Sequence, residues 1–105
     1  MGIDQIKEPL KQFLDSVSKT VKVDKMIVFG SYSKGTATED SDIDVVVVSD
    51  DFKKISEDKW LDIVDTAARN IEPEIQAWPL TNEELEAADE LTTLGQARTS
   101  GIRFI

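Results

Sequence analysis

The chain contains no cysteine and no histidine. The first absence excludes disulfide staples and thiolate metal sites, and leaves the redox compartment open. The second is the more informative. Without imidazole there is no Ser-His-Asp or Cys-His catalysis, no histidine general base and no zinc site built on ring nitrogens. Any chemistry must rest on carboxylates, hydroxyls, lysines, arginines and the backbone, and oxygen donors of that kind favour hard cations.

Long apolar runs are also missing. The longest, Ile43 to Val48, is interrupted by Asp44, so no segment is expected to cross a bilayer. The start, Met1-Gly2-Ile3-Asp4, has no basic stretch leading into an apolar one. No secretory signal is therefore expected, and a cytoplasmic location is the default expectation. Positive charge is scarce, with 12 basic against 21 acidic residues and a net charge of −9. So acidic a chain is poorly suited to gripping a nucleic-acid backbone by itself; its charge suits a solvated surface or a basic protein partner. With 40% apolar and 31% charged residues in 105, the expectation is a single domain over residues 1–105 with one core. No repeat, low-complexity tract or linker breaks the sequence.

Hydrophobic spacing gives the elements. Ile3, Ile6, Leu10, Phe13, Leu14 and Val17 recur at helical intervals, predicting an amphipathic helix over residues 4–20 whose regular part begins near Glu8, with Pro9 in the first turn. Residues 25–29 read as a strand, and 31–41, rich in Ser, Thr, Gly and Asp, as a loop or a broken short helix. Four consecutive valines within residues 43–49 predict a strand buried on both faces, because β-branched side chains suit a pleat better than a helix. Residues 56–70 predict a helix with Trp60, Leu61, Ile63, Val64, Ala67 and Ala68 on one side. A third strand is predicted over 74–78 after Pro73, and Thr81-Asn82-Glu83-Glu84 is a capping box opening another helix. A last helical stretch over 94–100 is predicted to end at Gly101 as a left-handed C-cap. This order predicts an α/β (α+β) domain, a small mixed sheet of three or more strands with helices packed mainly on one face.

The chemistry concentrates in Gly30-Ser31-Tyr32-Ser33-Lys34-Gly35 and Asp40-Ser41-Asp42-Ile43-Asp44-Val45. On a strand, alternate side chains share a face, so Asp42 and Asp44 project together, roughly 7 Å apart at their α-carbons. Paired carboxylates repel unless a cation lies between them, which is what a metal site for phosphoryl transfer requires. Gly30 lets the backbone approach a phosphate, and the Ser31 hydroxyl and successive N–H groups can donate to its oxygens. Lys34 can add charge to the same anion.

Each element also has a plainer reading. Gly-Ser alone is a strand-ending turn, and a loop lysine is more often only solvated. Asp40-Ser41 read as turn caps. Tyr32 either stacks on a base or packs; Trp60 reads as core, and Trp78, on the predicted Glu74 face, either lines a nucleotide pocket or, more often for such a residue, packs in the core or at an interface. An EF-hand is excluded because Val45 and Asp51 occupy the positions that need Gly and Glu. A P-loop is excluded because Thr36 follows Gly35 where Lys is required.

Taken together, Phe29-Gly30-Ser31, a spacer of ten residues and Asp42-Ile43-Asp44-Val45 resemble the motif of the DNA polymerase β-like nucleotidyltransferase superfamily, and most closely its minimal nucleotidyltransferase (MNT) domains. The resemblance implies a magnesium-dependent transfer of a nucleotidyl group, with AMP from ATP expected, to a hydroxyl. It implies two metal ions on Asp42 and Asp44, nucleotide contacts from Gly30, Ser31 and Lys34, and a third carboxylate from a later strand acting as metal ligand or general base. Glu74 is the match for that role, its alternative being a surface residue of an edge strand. The resemblance also implies a HEPN-type toxin as partner, with a toxin tyrosine as acceptor, and a homodimer as a further assembly. The competing expectation is an antitoxin or scaffold of the same fold that acts by binding alone.

Overall fold

The valine run lies at the centre of a four-stranded sheet in the computed structural model of the chain, which describes residues 2–89 and 92–105. Strand β1 is Lys25–Phe29, β2 Ile43–Val48, β3 Ile75–Leu80 and β4 Ile102–Arg103, arranged in the order β3-β2-β1-β4. β1 pairs antiparallel with β2 and β4, whereas β2 pairs parallel with β3, so the sheet is mixed as expected. Val45, Val46, Val47 and Val48 are all 0% exposed. A strand covered on both faces tolerates no polar alternation, which is why its sequence is a continuous apolar run.

The pleat sends Met26, Val28, Ile43, Val45, Val47 and Ile75 to one side. There they meet the two long helices, α1 (Lys7–Val17) and α3 (Glu57–Ala68), through Leu10, Phe13, Val17, Trp60, Ile63 and Ala67. Each fully buried Val, Leu, Ile, Phe or Met among them contributes about 1.5–3 kcal/mol by leaving water. α1 opens after a 3-10 turn, Ile3–Ile6, with Pro9 in its first turn, where a missing N–H costs no intrahelical bond. α3 is capped by the Ser56 hydroxyl, which accepts from the Lys59 N–H at 3.1 Å.

The opposite face carries Ile27, Phe29, Val46, Val48 and Leu80 against Leu85 and Ala97. These last two belong to the short helices α4 (Asn82–Ala87) and α5 (Thr93–Ser100). The capping box at α4 forms as its sequence dictates: Glu84 N–H donates to Thr81 Oγ1 at 3.1 Å, and Thr81 N–H to Glu84 Oε1 at 2.9 Å. One further helical turn, α2 (Ser31–Lys34), follows β1 directly.

Four details depart from expectation. Gly101 has φ −72° and ψ 165° instead of a left-handed conformation, because the chain runs straight on into β4, a two-residue strand too short to register as a pattern. Leu61, assigned to the buried side of α3, is 56% exposed. The third strand begins at Ile75 and runs through Pro79 to Leu80; β3 is an edge strand, where proline is tolerated. Glu74 therefore stands just before the strand instead of opening it. Among the described residues no helix is long and apolar enough to cross a membrane.

Candidate functional site

The site follows from strand register. Phe29, the last residue of β1, lies opposite Asp44 near the start of β2, so the turn leaving β1 is carried onto the acidic end of β2. Gly30, the turning residue, has φ 74° and ψ −148°, a region open essentially to glycine alone. A Cβ there would stand 2.5 Å from Asp44 Oδ2. Backbone conformation and proximity thus both demand glycine, and the carboxylate of Asp44 rests directly on the turn. Ser33 Oγ donates to the Gly30 carbonyl at 2.9 Å, holding the turn in shape. Gly35 ends α2 with φ 73° and donates its N–H to the Ser31 carbonyl. Of the two readings of Tyr32, packing is the one observed: it is 2% exposed.

Asp42 and Asp44 flank Ile43, which is 0% exposed and faces α1 and α3. Asp42 stands just before β2 and Asp44 is its second residue, and the charge of the first acts on the second. The Asp44 carboxyl is pushed above the usual carboxylate range, first by burial and second by the charge of Asp42. Upstream, a turn feeds the pair into the strand: Thr38 N–H donates to Ser41 Oγ at 2.9 Å, and Asp40 N–H to Thr38 Oγ1 at 3.3 Å. Asp40 and Ser41 thus take part in the turn expected of them.

A cavity of about 210 Å³ opens beside Asp44. Gly30, Ser33, Lys34 and Asp44 line it from β1's exit and β2, while Gln96 and Ser100 line it from α5 and Phe29 completes the lining. Ser31 is not among its lining residues; its carbonyl is engaged by the N–H groups of Gly35 and Thr36. Asp42 lies in a second, wider hollow of about 580 Å³ with Glu39, Asp40 and Glu74, which shares no lining residue with the first. Glu74 is tied to β2 through its carbonyl, which accepts from Ile43 N–H at 2.8 Å, and Gln76 stands opposite Asp44 in the parallel ladder. Asp44 thus stands beside Gly30 and Lys34, Asp42 is near enough for its charge to act on Asp44, and Glu74 shares a separate hollow with Asp42. Among the described residues no three acidic groups gather closely enough to hold one ion.

Sequence reasoning missed Gln96 and Ser100. The signal available was their spacing, one helical repeat apart on the same face, but nothing in the sequence says that α5 returns to the end of β1.

An acidic strand start meeting a glycine-serine turn across an antiparallel pair is the arrangement of a nucleotide-handling domain. Residues 10–94 match the nucleotidyltransferase domain family, and the chain belongs to it. Three proteins of Methanocaldococcus jannaschii provisionally named as protein adenylyltransferases are similar. The first is 33% identical over 63 residues, covering 60% of this chain and 63% of the relative. The second is 37% identical over 46 residues, 42% of this chain and 46% of the relative, and the third 34% over 55 residues, 50% and 56%. The matches therefore span from just under half to just under two thirds of those relatives' own lengths. A crystal structure from Sulfolobus solfataricus, provisionally described as a nucleotidyltransferase, superposes with a TM-score of 0.69 at 17% identity, covering 96% of this chain and 80% of that one; it shares the fold.

Proposed function

We propose that this chain transfers AMP from ATP to a hydroxyl group of another protein, using magnesium ions held by Asp42 and Asp44. The observation that carries this reading is Asp44 itself. Its carboxylate sits against Gly30, partly desolvated and next to a second acid, with its proton affinity raised by both causes. Such a pair is electrostatically unfavourable until a cation joins it, and an all-oxygen donor set with no histidine or cysteine fits magnesium. When bound, the ions would supply positive charge to the reacting phosphates and the departing pyrophosphate.

The chain's own residues supply the rest. Gly30 admits the triphosphate to the backbone, with Ser31 and Lys34 as donors to its oxygens. The acceptor oxygen attacks the α-phosphorus, the bond to pyrophosphate breaks, and the acceptor's proton passes to Glu74, the carboxylate that shares the Asp42 hollow. A protein acceptor agrees with the names of the M. jannaschii relatives. Resemblance to MNT domains supports a HEPN-type toxin as the acceptor, modified on a tyrosine, and a net charge of −9 favours a basic partner.

A binding-only antitoxin is the competing reading, favoured by Glu74 standing outside a three-acid cluster. One experiment separates them. The protein is mixed with α-labelled ATP, magnesium and the product of the neighbouring gene. Label on that product, lost in the Asp42→Asn/Asp44→Asn double variant, supports transfer. A stable complex that never acquires label supports binding alone.

A further inference from the structure

The cavity beside Asp44 has a second wall of different chemistry. Gln96 and Ser100 form it, both exposed. Between them Ala97 is 0% exposed and packs with Ile27 and Phe29. Gly101, the next residue after α5, leaves no room for a Cβ against the Ala97 carbonyl, Ile27 Cγ2 and the Val28 carbonyl. This close docking on β1 fixes where positions 96 and 100 stand relative to Gly30 and Asp44. Both residues lie beyond the stretch matched to the family, which ends at residue 94, so they are outside what this chain visibly shares with it.

Among the described lining residues Lys34 is the one cation and Asp44 the one acid. Gln96 and Ser100 are neutral, and each can both donate and accept. Phosphate oxygens only accept, whereas ribose hydroxyls and base edges do both. Ser100 Oγ donates to the Gln96 carbonyl at 2.9 Å, which leaves its lone pairs to accept from a ligand hydroxyl. Phe29 lies on the lining of the same cavity, its ring packed against Trp78 at 5.3 Å between centroids.

We propose that Gln96 and Ser100 hold the nucleoside end of the nucleotide, so that α5 sets nucleotide selectivity while residues 30–44 handle the phosphates. This rests on the reading of the cavity as a nucleoside triphosphate site, and the test keeps the two apart. Titration calorimetry is run with magnesium-ATP and with magnesium-inorganic triphosphate on wild type, Gln96→Ala and Ser100→Ala. Each variant is expected to weaken ATP binding about 3- to 10-fold, the loss of one neutral hydrogen bond, and to leave triphosphate binding unchanged. Unchanged ATP affinity, or a parallel loss for both ligands, overturns the selectivity role while the nucleotide site stands. Wild-type protein that binds neither ligand overturns the nucleotide site, and the selectivity role with it.

Discussion

At the scale of single residues the site is held in tension at Asp44. Burial and the neighbouring Asp42 raise its pKa above the unfolded value of 3.8, so the folded chain binds that proton more tightly than the unfolded chain does. The stability this provides is complete below the unfolded pKa and is lost as pH rises through the folded one. At neutral pH the ionised group therefore works against folding. Asp44→Asn, which removes the charge and keeps the shape, is expected to raise the melting temperature at pH 7 by roughly 1–3 °C, a small gain because solvent screens a group so far from fully buried. Below about pH 4 the gain should vanish. Magnesium is expected to raise the melting temperature of wild type and to do so less in the variant, since the ion relieves the same repulsion. Scanning fluorimetry across pH, with and without magnesium, reads all three effects. A variant that melts lower at pH 7 would mean that Asp44 already has a compensating partner in the folded chain.

At the scale of elements, local rules decided some outcomes and long-range docking others. The capping box at Thr81 and the valine run of β2 carry their structure in their own residues. Removing the cap tests the first: Thr81→Ala deletes the acceptor for Glu84 N–H and is expected to cost about 1 kcal/mol. For a domain of this size that lowers the melting temperature by roughly 4–8 °C, measurable by thermal unfolding with the magnesium response intact. The expectation that strand alternation presents Asp42 and Asp44 together reaches only Asp44, because β2 begins at Ile43 and Asp42 stands just before it, in a different hollow. Glu74 falls short in the same way, since strand ends are set by where pairing stops, and β3 begins one residue later. Gly101 was misread because a glycine after a helix has two uses. Here it gives β1 and the Ala97 carbonyl room to close, a demand made by β1, far away in sequence. β4 has two residues and no period of its own, and the approach of α5 to Gly30 depends on that strand's pairing with β1. Half of the cavity was therefore visible in the motif, and the other half came from an element whose position only the assembled sheet defines.

At the scale of the whole molecule, charge and site pull in opposite directions. A net charge of −9 surrounds a cavity read as the seat of an anionic nucleotide, and a field of that sign slows the approach of an anion. In the proposed site Lys34 and the metal ions would act at contact distance, while the remaining charge acts over a Debye length that shrinks from roughly 14 Å to 7 Å as salt rises from 50 to 200 mM. Screening should remove the distant repulsion first. The association rate of a fluorescent magnesium-ATP analogue, followed by stopped flow, is thus expected to rise over that range, whereas association with a basic protein partner should fall. The same reasoning would give the proposed partner a role beyond that of acceptor, because a basic surface docked near the cavity would cancel the repulsion and speed nucleotide capture at low salt. An association rate that falls with salt in the isolated chain would show that the local positive charge at Lys34 already governs the approach, and would leave a basic partner no electrostatic part in nucleotide binding.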